Sequence, residues 1–442
     1  MSERVASFWK WMEAQDVVDM DKVCVQPEVL STGIGFVAKR DISRGESTLS
    51  VPKTLFMNVE SALESPIGEY CTELKPWLIL ALHLLHEKSS SDSKWSPYIE
   101  ILPETLDLPL FWSDEELSEL QGTQVLESSL NYRSYVQMEY EELATQLFEP
   151  NPEVFPPEVF TPGALLWAFG ILRSRTFEPF TADQIALVPG LDLFDHSSQS
   201  QSCWSSKGGF GPFQKEGAAV VAEESVSAGT EVRMNYNPEI VAPQLMLDYG
   251  FYPSGDRKGG YQLTLGIPPE DKYFDDKADM AELAGLGETW PFMLRAGEAV
   301  PDEMRIYLRL IQLSGTDSFL LEGLFRNRAW ELISLPVSKE NEAAVCTSMI
   351  AGVTEALAQY PTTTSQDRAL LADETLPYRK EMAVRVRLAE KTTLNDVSLY
   401  FEQLLERLDG LEYYQERRLR DLGLLDDNGD STYDDFFKDG IA

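Results

Sequence analysis

The sequence predicts an α+β fold, and three observations lead there. Short β-type runs broken by Gly and Pro fill VCVQPEVLSTGIGFVAKRDISRGESTLSVPKTLFMN. Similar runs return at IALVPGLDLF, GAAVVAEESVSAGTEVRMNY and YQLTLGI. Between the two groups, from about Ser61 to Gly170, and again after about Pro268, helical periodicity takes over. The organisation expected is a β-rich region split by a helical insertion, then a helical C-terminal domain. No internal repeat is visible.

Each element has a local reason. Residues 4–16 place Val5, Phe8, Trp9 and Met12 on one face of a short amphipathic helix. STGIGFVAKRDISRGE predicts a hairpin followed by a tight turn at Arg44-Gly45. Ser113, three residues ahead of Glu116, is a capping-box signature. Residues 164–173, ALLWAFGILR, form an apolar helix ending in SRTF. Near the C-terminus, Val397, Tyr400, Leu404, Leu408 and Leu411 make one helical stripe. The last stretch, DDNGDSTYDDFFKDG, is acidic and expected to be loosely ordered.

Charge excludes one class of function. The 442 residues carry a formal net charge of -36 and no basic run, which argues against a nucleic-acid partner. The same charge fits a basic peptide segment as substrate. The four cysteines, Cys24, Cys71, Cys203 and Cys346, show no metal-ligand spacing and read as reduced, packed thiols. The longest apolar stretch, Pro76–His86, is too short to span a bilayer. The N-terminus MSERVASFWKWMEAQ lacks the apolar core of a signal peptide and the long Arg/Ser-rich lead of a transit peptide. The expectation is a soluble protein with no membrane partner, and with no organelle address in this chain.

Few residues offer chemistry. Of the three histidines, His83 and His86 lie i, i+3 on a helix without a third ligand nearby, and read as ordinary helical histidines. The third, His196, stands in LDLFDHSS between Asp195 and Ser197. Adjacent residues on a strand point to opposite faces, and no G-x-S-x-G elbow is present, so a hydrolase triad is not expected. TGIG, Thr32–Gly35, is half of a nucleotide-type glycine loop, but it sits in a hairpin. Its glycines serve turn chemistry or close backbone approach to a ligand. Tyr249 in LMLDYGFY is either a core tyrosine or a functional one.

Taken together, these segments resemble the SET-domain protein-lysine methyltransferases, in particular the plant Rubisco large-subunit methyltransferase subgroup. STGIGFVAKRDISRGE looks like the N-terminal SET hairpin, and LLWAFGILRSRTF like the helix leading to the central segment. LVPGLDLFDHS looks like the Asn-His-Ser motif, and VSAGTEVRMNYN with LMLDYGFY like the C-terminal motifs. LKPWLILALHLLHEK, FWSDEELSELQGTQ, LSGTDSFLLEGLFRN and LEYYQERRLRDLGL look like the subgroup's insertion and C-terminal domain, so the resemblance covers nearly the whole chain.

The resemblance implies a SET domain over residues 1–252, made of small curved sheets with a pseudoknot and a helical insertion at about 62–170. It implies a helical substrate-binding domain over 268–425, leaving an acidic tail at 426–442. It further implies S-adenosyl-L-methionine as cofactor, with the peptide entering from the opposite face through a narrow channel. Tyr249 would be the catalytic tyrosine and Tyr236 would line the channel, with Met234 and Asn235 nearby. Thr32, Gly33, Ile34, Asp195 and His196 would border the cofactor; Arg173 would anchor its carboxylate and Arg175 the peptide side. No metal is implied.

The chemistry suits these residues. The attacking lysine amine must be neutral, and a low-polarity channel beside a sulfonium cation lowers its pKa from about 10.4. The implied substrate is a non-histone chloroplast protein, the Rubisco large subunit or fructose-bisphosphate aldolase; the resemblance implies the chloroplast stroma, and without it the expectation is the cytosol. Two positions depart from the family. Asp195 stands where it has Asn, and Ala242 where an Asn usually precedes LDYGF. A carboxylate cannot donate an amide's hydrogen bonds, but it can pair with a cationic cofactor. Two other readings stay open: a SET-type protein-histidine methyltransferase, and a catalytically silent module that binds a partner. Substrate lysine, methyl multiplicity and oligomeric state are not legible.

Overall fold

Glycines and prolines keep the strands of this chain short, and the sheets are correspondingly small. The computed structural model describes residues 3–15, 23–31, 33–176, 185–200, 202–207, 217–238, 240–253, 259–322 and 326–425. Thr32 and the acidic tail at 426–442 lie outside the described residues. The chain divides into two compact units: Met1–Leu117 with Val125–Asp256, and Ser118–Gln124 with Arg257–Ala442.

In the first unit, helix α1 (Glu3–Glu13) buries Val5, Phe8, Trp9 and Met12, the face set by its periodicity. Strands β1 (Val25–Leu30) and β2 (Gly33–Ala38) form an antiparallel hairpin in register from Val25↔Ala38 to Leu30↔Gly33. β3 (Ser47–Pro52), β6 (Cys203–Lys207) and β7 (Gly217–Val221) make a second sheet in the order β3-β7-β6. β4 (Met57–Asn58) pairs with β5 (Ala186–Leu187), and β8 (Glu231–Val232) with β2 through Phe36↔Val232. The apolar run Ile185–Phe194 is therefore not one strand. Gly190, at φ 91°, turns it into a 3-10 turn over Leu191–Leu193.

The insertion supplies the unit's helical core. Helix α2 (Pro76–Ser89) starts on a proline at its first turn, where no backbone donor is needed, and buries Trp77 through Leu85. His83 is part of that core. Its Nε2 lies 3.4 Å from Ser61 Oγ, its ring stands edge-on to Trp95, and burial pushes its pKa down to about 3. The Ser113–Glu116 box forms, with Ser113 N–H donating to Glu116 Oε2 at 2.8 Å. Helix α3 (Gln124–Leu143) follows. Helix α4 (Pro162–Arg175) is capped by Thr161, whose hydroxyl accepts from Ala164 N–H at 3.1 Å.

Helix α5 (Ala242–Tyr249) is fixed from two sides. Its last turn is joined to α4 by an ion pair: Arg173 Nε donates to Asp248 Oδ1 at 2.9 Å, and Nη2 lies 2.5 Å from the same oxygen. Gln244 donates to the other carboxylate oxygen, and Tyr132 packs its ring under the guanidinium. Gly250 then ends the helix at φ 79°, and a Cβ there would sit 2.9 Å from the Asp107 backbone. Only glycine fits such a position.

The second unit departs from an all-helical expectation. β9 (Gly260–Gly266) pairs antiparallel with a strand that helical periodicity does not announce, β10 (Thr289–Arg295). Helices α6 (Asp302–Ile311), α7 (Lys339–Ala358) and α8 (Tyr378–Leu405) contribute Met304, Tyr307, Val345, Met349, Leu394 and Phe401 to one core. The C-terminal stripe is also shorter than its periodicity suggests. α8 ends at Leu405, and Leu408 lies in a separate 3-10 turn, Leu408–Gly410, closed by Asp409-Gly410. Glu390 of α8 is buried, accepting from Tyr360 Oη at 2.6 Å and from Gln124 N–H at 3.3 Å. Burial pushes its carboxyl up to about 8.

Two expected outcomes follow. Arg173→Met leaves Asp248 buried without its cation and costs about 3 kcal/mol in a urea unfolding titration; an unchanged midpoint would remove the clamp. Glu390 binds its proton more tightly folded than unfolded, so stability falls as pH rises from the ordinary carboxylate range through about 8. Glu390→Gln should therefore gain melting temperature relative to wild type between pH 6 and pH 9. A constant difference across that range would refute the assignment.

Candidate active site

A crossing of two chain segments builds the site. Residues 194–197 leave the 3-10 turn and run parallel to residues 234–236, bridged at His196↔Met234. Met234 N–H donates to the Asp195 carbonyl at 2.9 Å, and Ser197 N–H to the Met234 carbonyl at 3.0 Å. Tyr236 N–H donates to His196 Nδ1 at 3.2 Å, and Tyr236 Oη to the Phe194 carbonyl at 2.9 Å. The bond from Tyr236 N–H fixes the imidazole's Nδ1 as an acceptor, so any ring proton sits on Nε2.

Against this crossing lies a narrow pocket, open to solvent, among whose walls are Arg175, Asp192, Trp204, Met234, Tyr236 and Tyr249. The end of α4 also gives Ser174 and Thr176, and the stretch before α5 gives Asn237 and Ile240. The Tyr236 and Tyr249 rings lie 4.7 Å apart between centroids, and Phe251 packs 5.9 Å from His196. Gly250 is what lets the chain reverse between Tyr249 and Phe251.

The charged groups here are committed to one another. Asp192 Oδ2 accepts from Tyr98 Oη at 2.8 Å and from Arg175 Nη1 at 3.0 Å, while Oδ1 accepts from Gly190 N–H at 3.1 Å. Burial pushes the Asp192 carboxyl up, against the pull of Arg175 and the Tyr98 hydroxyl. Burial also works against the Arg175 charge, but the adjacent carboxylate leaves that guanidinium above its ordinary value. Tyr236 is held well above the ordinary phenol range, first by burial and then by the charge of Asp195. It stays a neutral hydroxyl, donating to Phe194 and keeping its lone pairs as acceptors.

The residues singled out from the sequence fall into three groups. Tyr236, Tyr249, Met234 and Arg175 come together on the pocket wall. Asp195 and His196 lie at the crossing beside it, and the Asp195 carboxylate faces the hairpin, 3.7 Å from where a Cβ of Gly35 would stand. Gly33, at φ 130°, opens β2, and Ile34 pairs with Val29 and packs on the core. Asn235 donates its N–H to the Ser202 carbonyl at 2.8 Å, and its Oδ1 is buried with no hydrogen-bond partner among the described residues. Arg173 is on the far side of α4's last turn, occupied by Asp248. Trp204 and Asp192 are pocket residues the sequence reading did not single out. An acid inside the apolar run LDLF, and a lone aromatic in SCWSS, were the available signals.

Comparison with known proteins agrees with this architecture. A family profile described as Rubisco LSMT substrate-binding matches residues 268–394. The chloroplastic [fructose-bisphosphate aldolase]-lysine N-methyltransferase of Arabidopsis thaliana is 39% identical over 437 residues, covering 98% of this chain and 90% of that protein. The chloroplastic ribulose-1,5-bisphosphate carboxylase/oxygenase large subunit N-methyltransferase of Pisum sativum is 41% identical over 434 residues, covering 97% and 88%. A solved structure of Rubisco LSMT bound to AdoMet matches with a TM-score of 0.87 at 39% identity, over 99% of this chain and 100% of that one. With such identity sustained along both partners, and a SET-type crossing at its centre, the chain belongs to the SET-domain protein-lysine methyltransferases of the Rubisco large-subunit methyltransferase type.

Proposed function

We propose that this protein methylates a lysine side chain of a chloroplast protein, with the Rubisco large subunit and fructose-bisphosphate aldolase as the two acceptors to test. The observation that carries the reading is the pairing of Tyr236 and Tyr249 in a pocket that abuts the 194–197 crossing. The named activities of the relatives support the acceptor class.

The residues at the crossing fit S-adenosylmethionine. Asn235 Oδ1, a buried acceptor, suits an amino or ammonium donor, and Asp195 complements a cation. His196 and Phe251 offer faces to an adenine. Gly33, Ile34, Asp195 and His196 would hold that group, with Thr32 next to them in sequence. Bound there, S-adenosylmethionine supplies an electrophilic methyl on a sulfonium. Arg173 is better placed to position Tyr249 through Asp248 than to meet a carboxylate directly.

The chain's own residues do the rest. The aromatic walls lower the local polarity and disfavour the ammonium, so a lysine seated against them gives up its proton more readily. Tyr236 and Tyr249 offer acceptors that hold the amine in line. Arg175 and Asp192, bound to each other, keep the wall rigid without placing a net charge beside the nucleophile. Alignment supplies much of the rate.

The decisive experiment is transfer of labelled methyl from S-adenosylmethionine to purified, unmethylated Rubisco and aldolase, read by peptide mass spectrometry. A methylated lysine on either supports the proposal; methyl on an imidazole nitrogen replaces it with the histidine reading. No label and no cofactor binding would mean a silent module. Tyr249→Phe should lower kcat by about 100-fold while leaving cofactor affinity unchanged, and an unaltered kcat removes Tyr249 from the mechanism. Asp195→Ala should weaken cofactor binding about tenfold by calorimetry; equal affinity would take Asp195 out of the cofactor site.

A further inference from the structure

Residues 118–124 group with the second unit, although the chain up to Leu117 and the chain from Val125 group with the first. Close fitting holds this short segment in place. Leu120 is fully buried. Gly122, at φ 83°, lies so near the Gln359 backbone that a Cβ there would stand 2.8 Å from the carbonyl. Gln124 acts as an added strand residue on β9: its Nε2 donates to the Gln262 carbonyl at 2.7 Å, and its Oε1 accepts from Gln262 N–H at 2.9 Å. Glu119 pairs with Lys380 at 2.5 Å and Arg387 at 3.3 Å, both on α8.

The remaining tie runs through Glu390. Its buried carboxyl accepts from the Gln124 N–H at 3.3 Å and from Tyr360 Oη at 2.6 Å. The cations that flank it on α8 are spent elsewhere. Arg387 meets Asp367 at 3.2 Å as well as Glu119, and Lys391 meets Asp367 at 2.7 Å. From the other elements it is faced by the Tyr360 phenol, with Tyr261 of β9 acting on that phenol, and by Gln124. Burial and then the charge of Glu390 hold the Tyr360 phenol above its ordinary range, so it stays neutral. Burial works against the Glu119 charge, but Lys380 and Arg387 outweigh it and keep that carboxyl below its ordinary value. Burial draws the Lys391 ammonium down, with Asp367 pulling the other way.

A buried carboxyl without a cation of its own keeps its proton, and here burial prevails over the two donors. Once ionised, the group is relieved only by water. Tyr360 and Thr393 on its other sides are buried, whereas Gln121 is exposed and Gln124 is half-buried, so water gains entry most easily at the segment. We propose that Glu390 is a pH-sensitive staple: as the neutral acid it closes residues 118–124 onto α8, and as the carboxylate it favours an opening in which Gln124 lifts away and its proton has passed to solvent. This inference goes beyond lysine methylation and does not depend on it.

Linkage gives the sign. The closed state holds the proton up to about 8, while an open, hydrated Glu390 returns to about 4.3. Between those values the closed state binds more protons, so each rising pH unit favours opening about tenfold; above about 8 the effect levels off.

The test is amide hydrogen exchange on the full chain, corrected for the intrinsic rate at each pH. Protection of residues 118–124 should fall about tenfold per unit from pH 6 to pH 8 and change little from there to pH 9, while amides within α7 keep theirs. Glu390→Gln should hold the segment's protection constant over the same range, which separates Glu390 from the titration of Lys391. Constant protection of the segment in the wild type overturns the staple. So does an equal fall in Glu390→Gln, or a fall that α7 shares in full, which would report unfolding of the whole second unit. If the glutamine variant does not fold, the contrast between the segment and α7 in the wild type still decides.

Discussion

The exchange of backbone bonds between residues 194–197 and 234–236 is the constraint on which the first unit depends. Two main-chain bonds join Asp195 and Ser197 to the buried Met234. Leaving either group unpaired in such a place costs about 1–3 kcal/mol, so the two segments hold one register. That register sets the imidazole of His196 against the Tyr236 N–H and the Tyr236 hydroxyl on the Phe194 carbonyl. The pocket wall and the hydroxyl's polarity both depend on this single crossing.

The surrounding elements act as its supports. α4 presents Arg175 towards the pocket and Arg173 away from it, two residues apart on one helical turn. One guanidinium locks Asp192 beneath the crossing; the other locks Asp248 next to Tyr249. The insertion core, with α2 buried along most of its length, gives those helices a rigid back. Neutral His83 belongs to that back, which is why a scarce histidine can sit there without being an acid or a base.

Much of this was legible in the sequence, for physical reasons that differ by element. The buried face of α1 and the Ser113–Glu116 box depend on contacts within a few residues, which periodicity and capping rules capture. The hairpin before Arg44 announces itself through its glycines. β10 and the early end of α8 were not legible, because pairing with β9 and the Asp409-Gly410 turn overrode local pattern. The tyrosines came from the resemblance to a family, not from composition. Trp204 and Asp192 escaped because the pocket is assembled from α4, β6 and the segments around 192 and 236, and no window of sequence contains it. Arg173 and Arg175 look equivalent in LRSRTF; only the helix's turn separates their partners.

The strand pairings of the first unit join residues far apart along the chain. Phe36 lies beside Val232, 196 positions away (232 − 36), and Val51 beside Ala218, 167 positions away (218 − 51). Loop-closure entropy must be met before such non-local contacts give anything back, whereas the helices between them need only their neighbours. Those helices draw the two ends of a long loop together. Seen as a folding problem, the pocket rests on pairings that span the whole insertion, so its shape depends on the closure of the longest loops of the first unit.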